Sequence, residues 1–410
     1  MASTGPVSAW KTSTQFLGYA FSTDWGATWT PAQAVYAPIS GHRVFDPAVA
    51  VDAANDFHVS FLTIDMAYAS YHVYAATAPA GTTSLGTPAE VTDPVEGVPT
   101  DAGPALYTYD KPWISVTKGQ EIVVTYTRFD QGCAPDYKPS GACFGNIMAA
   151  RSTDAQSWTR VALTANNPGG DGGADGGIAS FVGMAFQCAS TATGRLWVVY
   201  EDLAPYPTWP APAGIALQYS DDDGATWSAP TIVAPIAATV IFDDPSCAGD
   251  GSDVWVAYEQ KPIGGTVASA IQVVHSTSGG QSFGAPVNAL DTAASTYAWH
   301  STLVREGNGH LDVEYYGGLF DGAANGSVYS THSGDQGATW GPATGIRMPI
   351  TLTSAGFDVG WLGDYLGVAV GGGALYTAFT DNATGVSHVD FAKATLPGGG
   401  MDAGGDAPGD

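Results

Sequence analysis

Positive charge is what this sequence has least of. Only 13 Lys and Arg stand against 39 Asp and Glu, for a formal net charge of -26. So few cations cannot displace the counterions of a nucleic acid or hold an anionic membrane surface, and neither is expected as a partner. Long apolar runs are missing too: no stretch of 18 apolar residues escapes interruption by Asp or several Gly, so no membrane insertion is expected. The segment Met1 to Trp10 has neither a charged start nor an apolar run, and no signal peptide is read in it. Helical periodicity is absent over any long stretch. The histidines form no HExxH cluster, and no phosphate-binding Gly-Lys-Ser/Thr loop occurs.

Cysteine is scarce, with four residues. Cys133 and Cys143 fall in one loop, Gln131 to Cys143, which a disulfide would pin. Cys188 and Cys247 occupy equivalent places in successive repeats; equivalent strand residues point the same way around a ring, which argues against their facing each other. The four cysteines favour export to an extracellular or cell-surface location.

What is abundant is Gly (53), Pro (26) and aromatic residues (11%), the composition of turns and strands. One pattern, S-x-D-x-G-x-T-W, occurs at Ser22 to Trp29, Ser220 to Trp227 and Ser333 to Trp340. Worn copies stand at Ser152 to Trp158 and at Ser276 to Phe283. Each should be a folded-back turn in which the Asp (Asp24, Asp154, Asp222, Asp335) accepts backbone N–H groups and Gly takes a conformation other residues avoid. The closing aromatic (Trp29, Trp158, Trp227, Phe283, Trp340) would cover the turn. Recurrence implies a repeat architecture.

Between these turns a second repeat opens on an acidic leader and ends on an aromatic about 15 residues later. The copies begin at Asp46, Asp110, Asp244, His300 and Asp364, and a sixth, from Ala185, has lost its leader. With the pair flanking the Asp turn, each repeat has four strands, the arithmetic of a propeller blade. The expected fold is all-β, a six-bladed β-propeller of four-stranded antiparallel blades. Residues 1–396 form one domain in which the N-terminal segment closes the ring; a seventh, partial blade is the alternative. The Gly, Asp and Pro tail 397–410 reads as a disordered tether or linker.

Alternation of turns places the Asp turns at the bottom and every elaborate loop at the top, where function is expected. The leaders Asp46, Asp110, Asp244, His300 and Asp364 are the candidate catalytic residues. Around them the candidates for substrate binding are Arg43, Trp113, Arg128, Glu201, Glu259, Trp299, Glu314, Tyr316, Trp361 and Tyr365. Aromatic rings stack on sugar faces, and paired carboxyls serve as acid and base or nucleophile, so a glycan is the expected partner. The competing reading is that each leader Asp caps its own strand. The loop Asn166 to Gly177, with Asp171 and Asp175, could wrap a structural calcium or be a plain loop; no other cofactor is required, and the metal content is unknown. A monomer is expected.

The S-x-D-x-G-x-T-W turns resemble the Asp boxes, or BNR repeats, of the sialidase superfamily, whose fold is a six-bladed propeller. The resemblance implies a carbohydrate-active protein, a glycoside hydrolase acting at the top of the channel. Sialidases clamp the substrate carboxylate with three arginines, the first in an Arg-Ile-Pro sequence. Here that place reads Phe45-Asp46-Pro47, and only Arg43 and Arg128 map to the top. Sialidase activity itself is therefore not expected. The alternatives are a non-catalytic glycan- or protein-binding surface propeller, and a polysaccharide lyase using His300 and a top-face Tyr.

Overall fold

The computed structural model describes residues 2–4, 16–65, 70–94, 107–130, 145–164, 185–190, 192–203, 213–237, 239–262, 268–318, 325–351, 365–381 and 388–396. Among these there is no helix. The chain is a β-propeller of six blades, each opened by an inner A strand, with B, C and D strands following antiparallel toward the rim.

The A strands are His42–Val51, Tyr107–Val116, Ala185–Ala189, Val240–Asp250, Tyr297–Arg305 and Gly367–Gly371, which define blades 1 to 6. Blades 1 to 5 have four described strands and blade 6 has three. An N-terminal sheet of Ala2–Thr4, Phe16–Tyr19 and Gln33–Tyr36 pairs only within itself among the described residues. It packs Leu17 and Val35 against Val44, Phe61 and Tyr74 of blade 1. On its other side Trp29 meets Phe391 of blade 6 at 4.9 Å, and Trp25 stacks on Tyr376 at 6.1 Å. The described N-terminal strands thus form a partial sheet between blades 6 and 1, and none of them pairs with a described strand of blade 6.

Hydrophobic burial runs between blades. Val123 and Ile147 of blade 2 pack on Leu196 and Val198 of blade 3. Trp197 and Val199 continue onto Val254 and Val256 of blade 4, and Trp255 and Ala257 onto Leu303 and Val313 of blade 5. Each B strand is covered on both faces; Leu311–Gly318 is buried at every position. Such strands have no solvent face, so even their acids, Asp312 and Glu314, are buried.

The Asp turns hold the lower rim as their chemistry requires. In Ser220 to Trp227, Asp222 Oδ1 accepts from Thr226 N at 2.8 Å and Oδ2 from Thr226 Oγ1 at 2.6 Å. Ser220 Oγ accepts from Gly224 N at 2.9 Å. The other full copies repeat this around Asp24 and Asp335. Two successive residues take the left-handed conformation, Asp223 (φ 56°) and Gly224 (φ 82°), the second against Val123 of the preceding blade. The turn therefore locks one blade onto the next. Hydrogen bonds from Thr28 and Ser22 hold the Asp24 carboxyl at about 2.

Cys188 and Cys247 are bonded, with Cα atoms 5.7 Å apart. The parity argument against this pairing fails because A strands of neighbouring blades run side by side. Equivalent positions at the same height are then lateral neighbours. Cys133, Cys143, Asp171 and Asp175 lie outside the described residues, as do Trp361, Asp364 and the tail 397–410. Among the described residues no helix is long and apolar enough to cross a membrane. The Cys188–Cys247 bridge spans 59 residues of sequence. Loop-closure entropy for such a span predicts that replacing both cysteines with Ala lowers unfolding free energy by about 4 kcal/mol. Urea or guanidinium titration should show a matching fall in midpoint; an unchanged midpoint would deny the bridge its structural role.

Candidate functional site

The A strands share a defect. In blades 1, 2, 4 and 5 the pairing with the B strand slips between Phe45 and Ala48, Asp110 and Trp113, Asp243 and Ser246, and Trp299 and Thr302. At each slip one non-glycine residue is left-handed: Asp46 (φ 50°), Lys111 (φ 49°), Asp244 (φ 45°) and His300 (φ 52°). A bulge re-aims the side chain it carries, and strain of roughly 1–3 kcal/mol per residue persists only where surrounding structure enforces it. Four strained residues at one level of four blades mark the top of the channel as the candidate site.

This register corrects the sequence reading. Asp110 is not the equivalent of Asp46; Lys111 is, and Asp110 corresponds to Phe45, Asp243 and Trp299. Asp110 Oδ1 accepts from the Lys111 N–H at 3.0 Å, the strand-capping role named as the competing reading. Asp46, Asp244 and His300 do occupy the equivalent position.

The densest chemistry lies between blades 3, 4 and 5. Lys261 Nζ, at the end of the B strand of blade 4, is 2.6 Å from Asp243 Oδ2, 3.2 Å from Glu259 Oε2 and 3.5 Å from Asp244 Oδ2. His300 Nδ1 is also 3.5 Å from Asp244 Oδ2. Glutamates at the ends of B strands reach the next blade: Glu201 Oε1 accepts from Asp244 N at 3.0 Å, and Glu259 Oε1 from Ser301 N at 2.9 Å. These two bonds pin the bulges of blades 4 and 5 to the blades before them. Glu201, Asp243 and Asp244 can each offer an oxygen within 4.8 Å of the others, the grouping of a cation site. Lys261 supplies a cationic centre beside it.

Electrostatics divides the acids. Burial, then the neighbouring Asp243 and Asp244 charges, push the Glu201 carboxyl well above its ordinary range. Burial raises Glu259 to about 7 against the opposing pull of Lys261. Burial acts on Asp244 in the same sense, but Lys261, His300 and Lys111 together override it and hold that carboxyl below the carboxylate range. The same carboxylates, Asp244, Glu259 and Asp243, lift Lys261 far above the usual lysine value despite its burial. Glu201, raised by burial, thus stands beside Asp244, kept ionised by its cationic neighbours, the division of roles that proton transfer needs.

Aromatic rings flank the cluster. Trp113 meets Phe186 at 4.4 Å and Tyr365 at 5.7 Å, and the Lys111 ammonium lies 5.8 Å from the Tyr365 ring centre. Trp299 stacks between Tyr297 (5.4 Å) and Tyr316 (5.7 Å). Two of the proposed binding residues belong to the core. Tyr316 is fully buried and its hydroxyl accepts from Thr380 N at 2.8 Å, while Glu314 is fully buried and accepts from Thr377 Oγ1 at 2.8 Å. Both join blade 5 to blade 6, because a B strand between stacked blades has no solvent face. Glu259 is likewise fully buried and positions neighbours. Arg128 lies 4.3 Å over the Tyr107 ring, and Arg43 is buried in the A strand of blade 1.

Sequence reasoning missed Asp243, Lys111 and Lys261. The prolines held the signal for the first two: Asp46-Pro47, Lys111-Pro112 and Asp244-Pro245 align only if Lys111 is the leader. Strand alternation held it for Lys261, which shares a face with Glu259.

No protein-family model matches the chain, and no curated protein matches it. Among solved structures it is similar to a protein of unknown function from Dyadobacter fermentans (15% identity, TM-score 0.57, 87% of this chain and 95% of that one). It is also similar to a Hadza microbial sialidase (12% identity, TM-score 0.56, 86% and 66%). A third is Trypanosoma rangeli sialidase bound to the inhibitor DANA (11% identity, TM-score 0.53, 88% and 56%). The chain spans about two thirds of the first sialidase and just over half of the second. At these identities the likeness is one of fold.

Burial, opposed by the Thr377 hydrogen bond, lifts Glu314 to about 8. A carboxyl raised in the folded state keeps its proton after the unfolded chain has lost it. Between about pH 4.5 and 8 the folded protein thus binds more protons, and stability falls as pH rises. Glu314→Gln should remove on the order of 4 kcal/mol of that decline. Urea unfolding at intervals from pH 5 to 8 tests it, and an unchanged slope in the variant contradicts the assignment.

Proposed function

We propose that this is an exported glycoside hydrolase of sialidase-like fold, acting on a glycan other than a sialoside at the top of the propeller channel. Glu201 and Asp243 are its proton-handling pair. The observation that carries this reading is the proximity of those two carboxyls, which each offer an oxygen within 4.8 Å of the other and of Asp244. The Asp243 side chain is 28% exposed and opens the pair to the channel. Glu201, protonated, is the proton donor of the pair and Asp243 its acceptor, and His300, beside Asp244, is a second proton carrier. Trp113, Phe186, Tyr365 and Trp299 supply faces for sugar rings. The cationic groups here are lysines, and Lys261 is committed to three carboxylates, which leaves no arginine fork for a sugar carboxylate. The disulfide fits an oxidising, extracellular setting.

A second reading, a glycan-binding propeller without chemistry, draws support from the same Lys261, since a fully paired charge cluster is also a stable structural plug. One screen separates them. Purified protein is incubated with sialosides, neutral polysaccharides and uronic-acid polymers while reducing ends and ultraviolet absorbance are followed. The hydrolase reading expects reducing ends from a glycan without sialic acid, falling at least 100-fold in both Glu201→Gln and Asp243→Asn when each variant is assayed well below its own melting temperature. Binding without product selects the second reading, an ultraviolet-absorbing product selects a lyase, and sialic acid release refutes the arginine argument.

A further inference from the structure

A second cluster of ligating side chains lies at the opposite end of blade 5, apart from the channel. The turn joining its A and B strands reads Glu306-Gly307-Asn308-Gly309-His310, and the C strand Asn325–Ser333 brings His332 alongside. Glu306, His310 and His332 can each present one ligand atom within 4.8 Å of the other two. The two imidazoles meet edge to face at 5.2 Å. Asn308 holds the turn in this shape: its Nδ2 lies 3.1 Å from Glu306 Oε2 and 3.1 Å from His310 Nδ1, and its Oδ1 accepts from His310 N at 2.9 Å.

The cluster is short of hydrogen-bond donors. Glu306 and Asp312 are 4% and 2% exposed, yet Glu306 Oε1 and Asp312 Oδ2 accept no hydrogen bond. His332 Nδ1 is 3.1 Å from Asp312 Oδ1 and 3.3 Å from Glu306 Oε1, and one ring nitrogen carries at most one proton for both. A buried carboxylate oxygen without a donor costs several kcal/mol unless a charge meets it. The 3.3 Å between His332 Nδ1 and Glu306 Oε1 is also the separation of neighbouring ligands on a tetrahedral ion with bonds of about 2.0–2.1 Å, whose edges are ~3.3 Å.

We propose that Glu306, His310 and His332 form a binding site for a divalent transition metal ion of the zinc class, with the Asp312 carboxylate adding charge beside it. Imidazole and carboxylate are the donor set such ions take. The ion would tie the A–B turn of blade 5 to the end of its C strand, next to the Asp335 turn, and so staple the lower rim; it takes no part in the chemistry proposed for the channel.

The test uses tag-free, chelator-stripped full-length protein titrated with Zn²⁺ calorimetrically and with Co²⁺ by visible absorption. The expected result is one ion per chain bound at micromolar concentration or tighter, with a rise in melting temperature on loading. His310→Ala, a half-exposed turn position, should weaken binding at least 30-fold while melting like the metal-free parent; Glu306→Gln, which keeps the side-chain shape, should weaken it as well. No stoichiometric binding by the parent, or equal binding by parent and His310→Ala, would overturn the proposal.

Discussion

One ammonium group sets the terms for the candidate site. The propeller brings Asp243, Asp244 and Glu259 together near its axis, and without Lys261 these acids would have to be neutralised or pushed apart. Removing one partner of a buried ion pair costs about 3–5 kcal/mol, comparable to much of a domain's net stability. With Lys261 in place, Asp244 remains a carboxylate beside acids whose burial raises them. The left-handed bulges that aim Asp46, Lys111, Asp244 and His300 are strained, and the glutamates of preceding blades hold two of them in place. Site and scaffold are therefore one construction: each blade fixes the reactive geometry of the next.

The same blade-to-blade logic explains what was legible in the sequence. The Asp turns and leader strands were readable because turn chemistry is local, and six leader strands did open six blades. Side-chain orientation at the inner strands was not local. A one-residue slip at a bulge exchanged Asp110 for Lys111, and the proline that follows was the available clue. Glu314 and Tyr316 stand in a strand whose two faces are both covered by neighbouring blades, a fact that period-two alternation cannot convey. Cys188 and Cys247 pair for the same reason: around a ring, equivalence brings lateral contact.

Sialidases share this architecture, but the fold does not carry their chemistry with it. Where the resemblance leads one to seek an arginine clamp, this chain places carboxyls and lysines, and Arg128 lies over an aromatic ring. Five further arginines are engaged in the frame: Arg151 pairs with Glu121, Arg195 with Asp221, Arg305 with Asp250 and Arg347 with Asp381, and Arg160 donates to the Val91 and Thr92 carbonyls. Function is thus argued from the Glu201–Asp243 pair, and likeness supplies only the scaffold.

That pair is open to direct observation. Infrared difference spectra between the parent and Glu201→Gln at neutral pH report whether Glu201 carries its proton. The account predicts a protonated-carboxyl carbonyl band in the parent that vanishes in the variant and persists until the pH is raised well beyond the ordinary glutamate range. A parent spectrum showing Glu201 as a carboxylate at neutral pH would contradict a protonated Glu201, and with it the acid–base role proposed for the channel mouth.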